Sequence, residues 1–247
     1  MDQTMFTVRC SALLLLLLAT AFSIAAETPK IAGYQTRQIA GWTVLVSDQL
    51  LKDQAADTAK ALALLKPQLE EIVRVVPAPA VAKLRQVKLW FSPEYKDVQP
   101  RAEYHPGADW LRDNKRNPEM VKGVEFTNVR IFERETKRMP NFALHELSHA
   151  FHDQVLGFDN ALVKAAYEKA KAGGLYNDVE QRFGDGKSKK TRAYALVNPM
   201  EYFAETSEAL YSTNDFYPFT RDELAKHDPE MLKLLDELWN SVAPDHK

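Results

Sequence analysis

A glutamate enclosed by two histidines four residues apart, His145-Glu146-Leu147-Ser148-His149, is the segment that most constrains the fold of this chain. Residues four apart lie on one face of an α-helix, so both imidazoles can reach a single metal ion only if the segment is helical. Glu146 then lies about a hundred degrees around the helix, where it can take a proton from a metal-activated water without occupying a coordination position. The preceding proline and the apolar neighbours predict a buried helix near 141–156. A chance occurrence is disfavoured, because burying these polar side chains without partners is costly.

A catalytic zinc ion takes three protein ligands and keeps one position open, so a third ligand is needed. His152 lies on a similar face, but three ligands from one straight helix cannot easily surround a tetrahedral ion. We therefore expect His152 to have another role, such as a hydrogen bond at the edge of a cleft. The metzincin pattern is excluded, because positions 152 and 155 are His and Val rather than Gly and His.

The best candidate for the third ligand is Glu201, in a predicted helix near 199–212. Glu205 lies one turn further on, where it can accept the other N–H of a ligating histidine and fix its tautomer. The alternative is structural, since Asn198-Pro199-Met200-Glu201 also fits a capping box with proline at the first helical position. The upstream histidine pair favours the ligand role.

The histidine pair is combined with Tyr194, which lies seven residues before the first glutamate of Glu201-Tyr202-Phe203-Ala204-Glu205. This combination resembles the catalytic domain of anthrax toxin lethal factor-like zinc metallopeptidases of the gluzincin type, and it is also similar to the Pro-Pro endopeptidases. The resemblance covers about residues 120–212. It implies a zincin-like fold, zinc ligands His145, His149 and Glu201, Glu146 as general base, and Tyr194 as a hydrogen-bond donor to the transition state.

The order of the predicted elements indicates an α+β fold, with a small N-terminal sheet, mixed or antiparallel, and a helical C-terminal half. Alternation over 33–47 predicts a hairpin that turns at Gly41. A helix is predicted from Ser47 to Val76, kinked or divided at Pro67 and closed by Pro77-Ala78-Pro79. After it we expect a strand over 87–91, an irregular segment to about 120, and an extended segment over 121–132. Beyond Pro140 we expect only helices and loops, with helices near 159–172, 221–227 and 229–241 besides those above, and a flexible polar stretch over 182–190.

The N-terminus is predicted to be a signal peptide, residues 1–26, with Arg9 before a leucine-rich run and small residues near a cleavage site at Ala26. An uncleaved anchor is the alternative, but the run is shorter than the roughly 20 apolar residues of a bilayer span. We expect a single catalytic domain over 27–247, secreted or periplasmic, without stable membrane insertion. Cys10, the one cysteine, precedes the run, so the mature chain has neither disulfides nor thiolate chemistry. The net charge of −2 does not favour nucleic acid as a partner.

These features predict a zinc-dependent endopeptidase that hydrolyses peptide bonds of a peptide or protein substrate with a zinc-activated water. A non-catalytic binding module on the same scaffold and a zinc hydrolase of a non-peptide amide or ester stay open. Three further segments have a functional and a plain interpretation. Residues 121–128 form either an edge strand that pairs with substrate or a core strand. Tyr104-His105-Pro106 with Trp110 forms either a specificity pocket or a packed aromatic loop. The basic residues 187–192 form either a lid or a solvated loop.

Overall fold

A computed structural model describes residues 31–243 of the protein, so the predicted signal peptide lies outside the described residues. A five-stranded mixed sheet has the spatial order β1-β2-β3-β5-β4. Its strands are β1 (Tyr34–Ile39), β2 (Trp42–Ser47), β3 (Leu89–Phe91), β4 (Ala102–Tyr104) and β5 (Val124–Phe126). The pairs β1–β2 and β4–β5 are antiparallel, whereas β2–β3 and β3–β5 are parallel. Within residues 31–243 no helix has the length and apolar character needed to cross a membrane.

The predicted N-terminal hairpin is confirmed, with its turn at Ala40-Gly41. Both residues have positive φ angles, 50° and 92°. A two-residue hairpin turn of the mirror-image type needs this geometry, and glycine adopts it without steric cost.

The helical segment after the hairpin is divided at Gln54 rather than at Pro67. Helix α1 (Asp48–Asp53) begins after Ser47, whose hydroxyl accepts a hydrogen bond from Gln49 N at 3.2 Å, and α2 (Ala55–Val75) continues through Pro67. Helix α2 ends at Val75, directly before the proline motif that was predicted to close it. The same motif begins α3 (Ala78–Leu84), because proline is well tolerated in the first turn of a helix.

The segment from 92 to 138 contains more structure than the sequence predicted. The stretch expected to be irregular contains β4 and α4 (Ala108–Asp113), and the stretch expected to be extended to residue 132 is a strand only at β5. A 3₁₀ turn over Val129–Ile131 and α5 (Phe132–Arg138) follow it. Short elements of this kind are held by tertiary contacts, so hydrophobic periodicity identifies them poorly.

The C-terminal half is helical, as predicted. Its helices are α6 (Phe142–Phe151), α7 (Ala161–Gly173), α8 (Pro199–Tyr211), α9 (Arg221–His227) and α10 (Pro229–Trp239), and α6 continues as a π-helical turn over His152–Leu156. The polar stretch predicted to be flexible is instead largely a hairpin of β6 (Val179–Arg182) and β7 (Ser188–Thr191). A backbone hydrogen bond from Arg182 N to Asp215 O, 2.8 Å, attaches this hairpin to the segment after α8.

Aromatic packing holds α6 against α8 and α10. The ring of Phe151 stacks on that of Trp239 with centroids 4.0 Å apart, and Phe203 of α8 stacks on both. All three side chains are fully buried. This packing fixes the distance between α6 and α8, the two helices that carry the candidate metal ligands.

Candidate metal centre and cleft

The start of α6 is fixed by Asn141, a buried residue with a fully hydrogen-bonded carboxamide. Its Oδ1 accepts from Leu144 N at 3.1 Å, and its Nδ2 donates to Gln68 O and Glu71 Oε2, both at 3.0 Å. The side chain of Asn141 therefore both caps α6 and links it to α2. Further along the same face, the Nε2 atoms of His145 and His149 lie 3.2 Å apart.

The start of α8 is capped by Asn198, whose Oδ1 accepts a hydrogen bond from Glu201 N at 2.8 Å. Pro199 occupies the first turn, as the capping interpretation predicted. The carboxylate of Glu201 lies against the histidines, with Oε2 3.2 Å from Nε2 of both His145 and His149. Only half of the predicted capping box is therefore formed, since the backbone N–H of Glu201 donates to Asn198 while its carboxylate faces the histidines instead of the Asn198 backbone.

The donor set of His145, His149 and Glu201 fits zinc. Zinc bonds of about 2.0–2.1 Å in a tetrahedral arrangement place their donor atoms about 3.3–3.4 Å apart. The three donor atoms here are 3.2 Å from one another. Two imidazoles and one carboxylate leave a fourth position for water or substrate, although other first-row metals accept the same ligands.

The outer nitrogen of His145 is hydrogen-bonded to Glu208 rather than to Glu205, the residue predicted from the sequence. Glu208 Oε2 lies 2.9 Å from His145 Nδ1, whereas Glu205 Oε1 lies at 3.7 Å. Glu201, Glu205 and Glu208 share one face of α8 because they are spaced by four and then three residues. This spacing is visible in the sequence, but the crossing of α6 over α8 decides which carboxylate meets Nδ1.

Burial and mutual charge set the protonation of this cluster. Burial raises the pKa of Glu205 well above its ordinary value, and the charge of Glu208 adds to the effect. Burial also raises the pKa of Glu208, to about 7, although its hydrogen bond to His145 opposes this. Burial lowers the pKa of His145, but hydrogen bonds to Glu201 and Glu208 outweigh it and raise that pKa well above the ordinary value. The site therefore holds protons that a bound metal ion would displace.

Glu146 and Tyr194 line the same cleft as the three candidate ligands. Glu146 Oε2 accepts a hydrogen bond from the backbone N–H of Tyr104 at 2.8 Å. Tyr194 begins a 3₁₀ turn and its side chain is 46% exposed. Burial of its remainder and the charge of Glu201 raise the pKa of Tyr194, so the phenol keeps its proton and can donate a hydrogen bond.

The cleft has a volume of about 510 Å³, and β4 forms one of its walls. The prediction that 121–128 contains the edge strand is wrong, since β5 lies between β3 and β4, which agrees with the plain core-strand interpretation. The edge strand beside the cleft is β4, in the segment predicted to be irregular, and β1 forms the opposite edge of the sheet. Three-residue strands carry too few residues for a recognisable alternation, and the sequence therefore did not reveal it.

The aromatic loop is partly in the cleft and partly packed. Tyr104 and Pro106 line the cleft. His105 is buried with Nε2 3.0 Å from Glu125 Oε2, and Trp110 stacks on its ring with centroids 5.6 Å apart. From the basic segment, Arg192 donates to Leu196 O at 3.1 Å and so supports the turn that carries Tyr194.

His152 lies in an aromatic environment and does not make the hydrogen bond that the sequence predicted. It is fully buried against the rings of Phe158 and Phe203. Neither ring nitrogen has a hydrogen-bond partner among the described residues. Burial lowers the pKa of His152 to about 4, with a further contribution from His149.

Comparison with protein-family models, curated proteins and solved structures gives no match for this chain. The functional assignment therefore depends on the residues and their geometry.

Proposed function

We propose that this protein is a zinc-dependent endopeptidase with a zincin-like fold, similar to the lethal factor-like gluzincins, and that it acts outside the cytoplasm after removal of a signal peptide. The observation that carries the proposal is the convergence of three zinc-type donor atoms, 3.2 Å from one another, in a cleft that also contains Glu146. A group of this composition is what zinc-assisted hydrolysis requires.

Zinc bound to His145, His149 and Glu201 supplies a Lewis acid that lowers the pKa of water to about 7 and polarises a carbonyl group. Glu146 is the residue that accepts the proton of the attacking water and passes it to the leaving amine. The hydrogen bond from Tyr104 N to Glu146 Oε2 orients this carboxylate towards the cleft. Glu208 holds the outer nitrogen of His145 and so fixes the tautomer in which Nε2 is free to bind metal.

Tyr194 is the proposed donor to the oxyanion that develops when the carbonyl is attacked. Its raised pKa keeps the hydroxyl protonated in the neutral range, and the hydroxyl group is carried on a turn that Arg192 supports. A donor aimed at developing charge in a partly closed site contributes strongly to catalysis.

A peptide substrate is favoured by the position of β4 at the edge of the sheet. In an antiparallel pair, alternate residues direct their backbone groups away from the partner strand. Thr127 N donates to Arg101 O, and His105 N donates to Gly123 O. With the register of the pair, these bonds show that the backbone groups of residues 101, 103 and 105 point towards β5. The backbone groups of Ala102 and Tyr104 therefore face away from β5. Tyr104 N donates to Glu146 on that side, so the backbone groups of Ala102 and the carbonyl group of Tyr104 are the ones with which an extended peptide can pair. This edge distinguishes the proposal from hydrolysis of a small non-peptide amide or ester.

The test compares the parent chain with Glu146→Gln, a substitution that keeps the size of the side chain and removes its basicity. Metal content is measured by mass spectrometry, and both proteins are incubated with a diverse peptide library. We expect about one zinc ion in each protein and cleavage by the parent alone. Zinc in both with cleavage by neither would favour a binding module or a non-peptide substrate, and parent protein without metal would refute the site.

A further inference from the structure

Asn128 lies in the cleft wall beside the first residues of β4. The preceding residue, Thr127, is tied to Arg101 twice, through Thr127 N to Arg101 O at 2.9 Å and Arg101 N to Thr127 Oγ1 at 3.0 Å. Arg101, Ala102 and Asn128 all line the cleft that contains the metal ligands. Asn128 therefore lies next to the end of β4 that begins after Arg101, whereas Tyr104 and Glu146 lie at the other end.

The side-chain oxygen of Asn128 is buried and has no hydrogen-bond partner among the described residues. The side chain as a whole is 1% exposed. Asn128 precedes a 3₁₀ turn, but its side chain does not cap that turn. A buried carbonyl oxygen without a hydrogen-bond partner costs free energy.

A comparison with Asn141 shows how the fold satisfies an amide that has a structural role. Asn141 is equally buried, and its carboxamide makes three hydrogen bonds that hold the start of α6. The side chain of Asn128 makes no such set of hydrogen bonds, although Asn128 lines the cleft and Asn141 holds a helix that carries two of the candidate ligands. Because Asn128 lines the cleft, a molecule bound there can supply the partner that Oδ1 lacks.

We propose that Asn128 is a substrate-positioning residue whose carboxamide hydrogen-bonds one backbone amide of an extended peptide lying along β4. A carboxamide offers both a donor and an acceptor, which complements the N–H and C=O groups of a peptide backbone. This inference rests on the proposed peptidase function and deepens it. It assigns the recognised group to the main chain of the substrate, so the contact orients the scissile bond without selecting a particular side chain.

The first test uses Asn128→Leu, with a peptide that the zinc-loaded parent cleaves. Leucine has a similar volume and no hydrogen-bonding groups, so the substrate amide is left unpaired. We expect kcat/KM to fall about 10- to 100-fold, with zinc content unchanged and a melting temperature equal to or above that of the parent. Asn141→Leu is the control and should lower the melting temperature by about 5 °C or more, because three hydrogen bonds are lost.

A backbone scan identifies the recognised amide. The peptide is synthesised with each N–H in turn replaced by N-methyl, and each analogue is assayed with the parent and with Asn128→Leu. At one position, N-methylation should reduce cleavage by the parent but cause no further reduction in Asn128→Leu. Both changes remove the same hydrogen bond, so their effects are not additive.

The outcomes separate this inference from the proposed function. If the parent cleaves peptides and Asn128→Leu cleaves them equally well, the peptidase assignment stands and the role of Asn128 is refuted. If Asn128→Leu melts several degrees below the parent, the amide has a structural partner such as a buried water, and the inference is again refuted. If the zinc-loaded parent cleaves no peptide, both proposals fail together.

Discussion

The contact between His145 and Glu208 permits a direct test of the proposed metal centre. The two side chains are buried and their Nδ1 and Oε2 atoms are 2.9 Å apart, whereas Glu205 lies at 3.7 Å, beyond a good hydrogen bond. We expect Glu208→Gln to weaken zinc binding about 10- to 100-fold, which corresponds to about 1.4 to 2.7 kcal/mol. The loss arises because the amide cannot supply the negative charge that orients the imidazole and increases its basicity.

Glu205→Gln is the matched control on the same helix. Glu205 Oε1 lies 3.7 Å from His145 Nδ1, too far for a good hydrogen bond, so the substitution removes no close contact to the imidazole. Burial also raises the pKa of Glu205 well above its ordinary value, which reduces the negative charge that the substitution removes. We expect zinc affinity to change by less than about threefold.

The assay is a competition for zinc between each protein and a fluorescent chelator of known affinity at pH 7.5. The unfolding temperatures of the metal-free proteins are measured alongside, so that a folding defect is recognised. Equal weakening in the two variants, or greater weakening in Glu205→Gln, would refute the assignment of Glu208 and restore the partner predicted from the sequence.

Tyr194→Phe should retain zinc and lose about a hundredfold to a thousandfold in kcat, because the oxyanion donor is removed; full activity in a steady-state peptide assay would contradict that role. The pKa of His152 is about 4 in the folded chain and near 6.5 when unfolded, so the unfolded state gains a proton first and stability falls as pH drops from 6.5 towards 4. His152→Leu should therefore reduce the difference in unfolding free energy between pH 8 and pH 5 by about 2 kcal/mol, as measured by urea unfolding, and an unchanged difference would exclude this residue as the cause. Trp239→Ala removes the ring stacked on Phe151 and should cost about 3–5 kcal/mol of unfolding free energy in the metal-free chain; a loss below 1 kcal/mol in the same assay would show that this contact does not hold the helices.

Local patterns in the sequence were sufficient for the elements that carry the candidate ligands. The spacing of His145 and His149 predicted one helical face, and the sequence Asn198-Pro199 predicted the start of the helix that carries Glu201. The N-terminal hairpin followed from alternation and from a glycine at the turn. These features depend on residues within one or two turns of each other, so the information needed to predict them is contained in a short segment.

Tertiary structure decided the features that join distant segments. Glu205 and Glu208 share a helix face, and only the crossing of α6 and α8 makes Glu208 the partner of His145. The order of strands places β4 at one edge of the sheet, next to the cleft, and β5 inside the sheet, although β4 is too short to be recognised from its pattern. His152 does not make the hydrogen bond predicted from the sequence, because Phe158 and Phe203 pack around its ring. Each outcome depends on the packing of segments far apart in the chain, and propensity and periodicity carry no information about that packing.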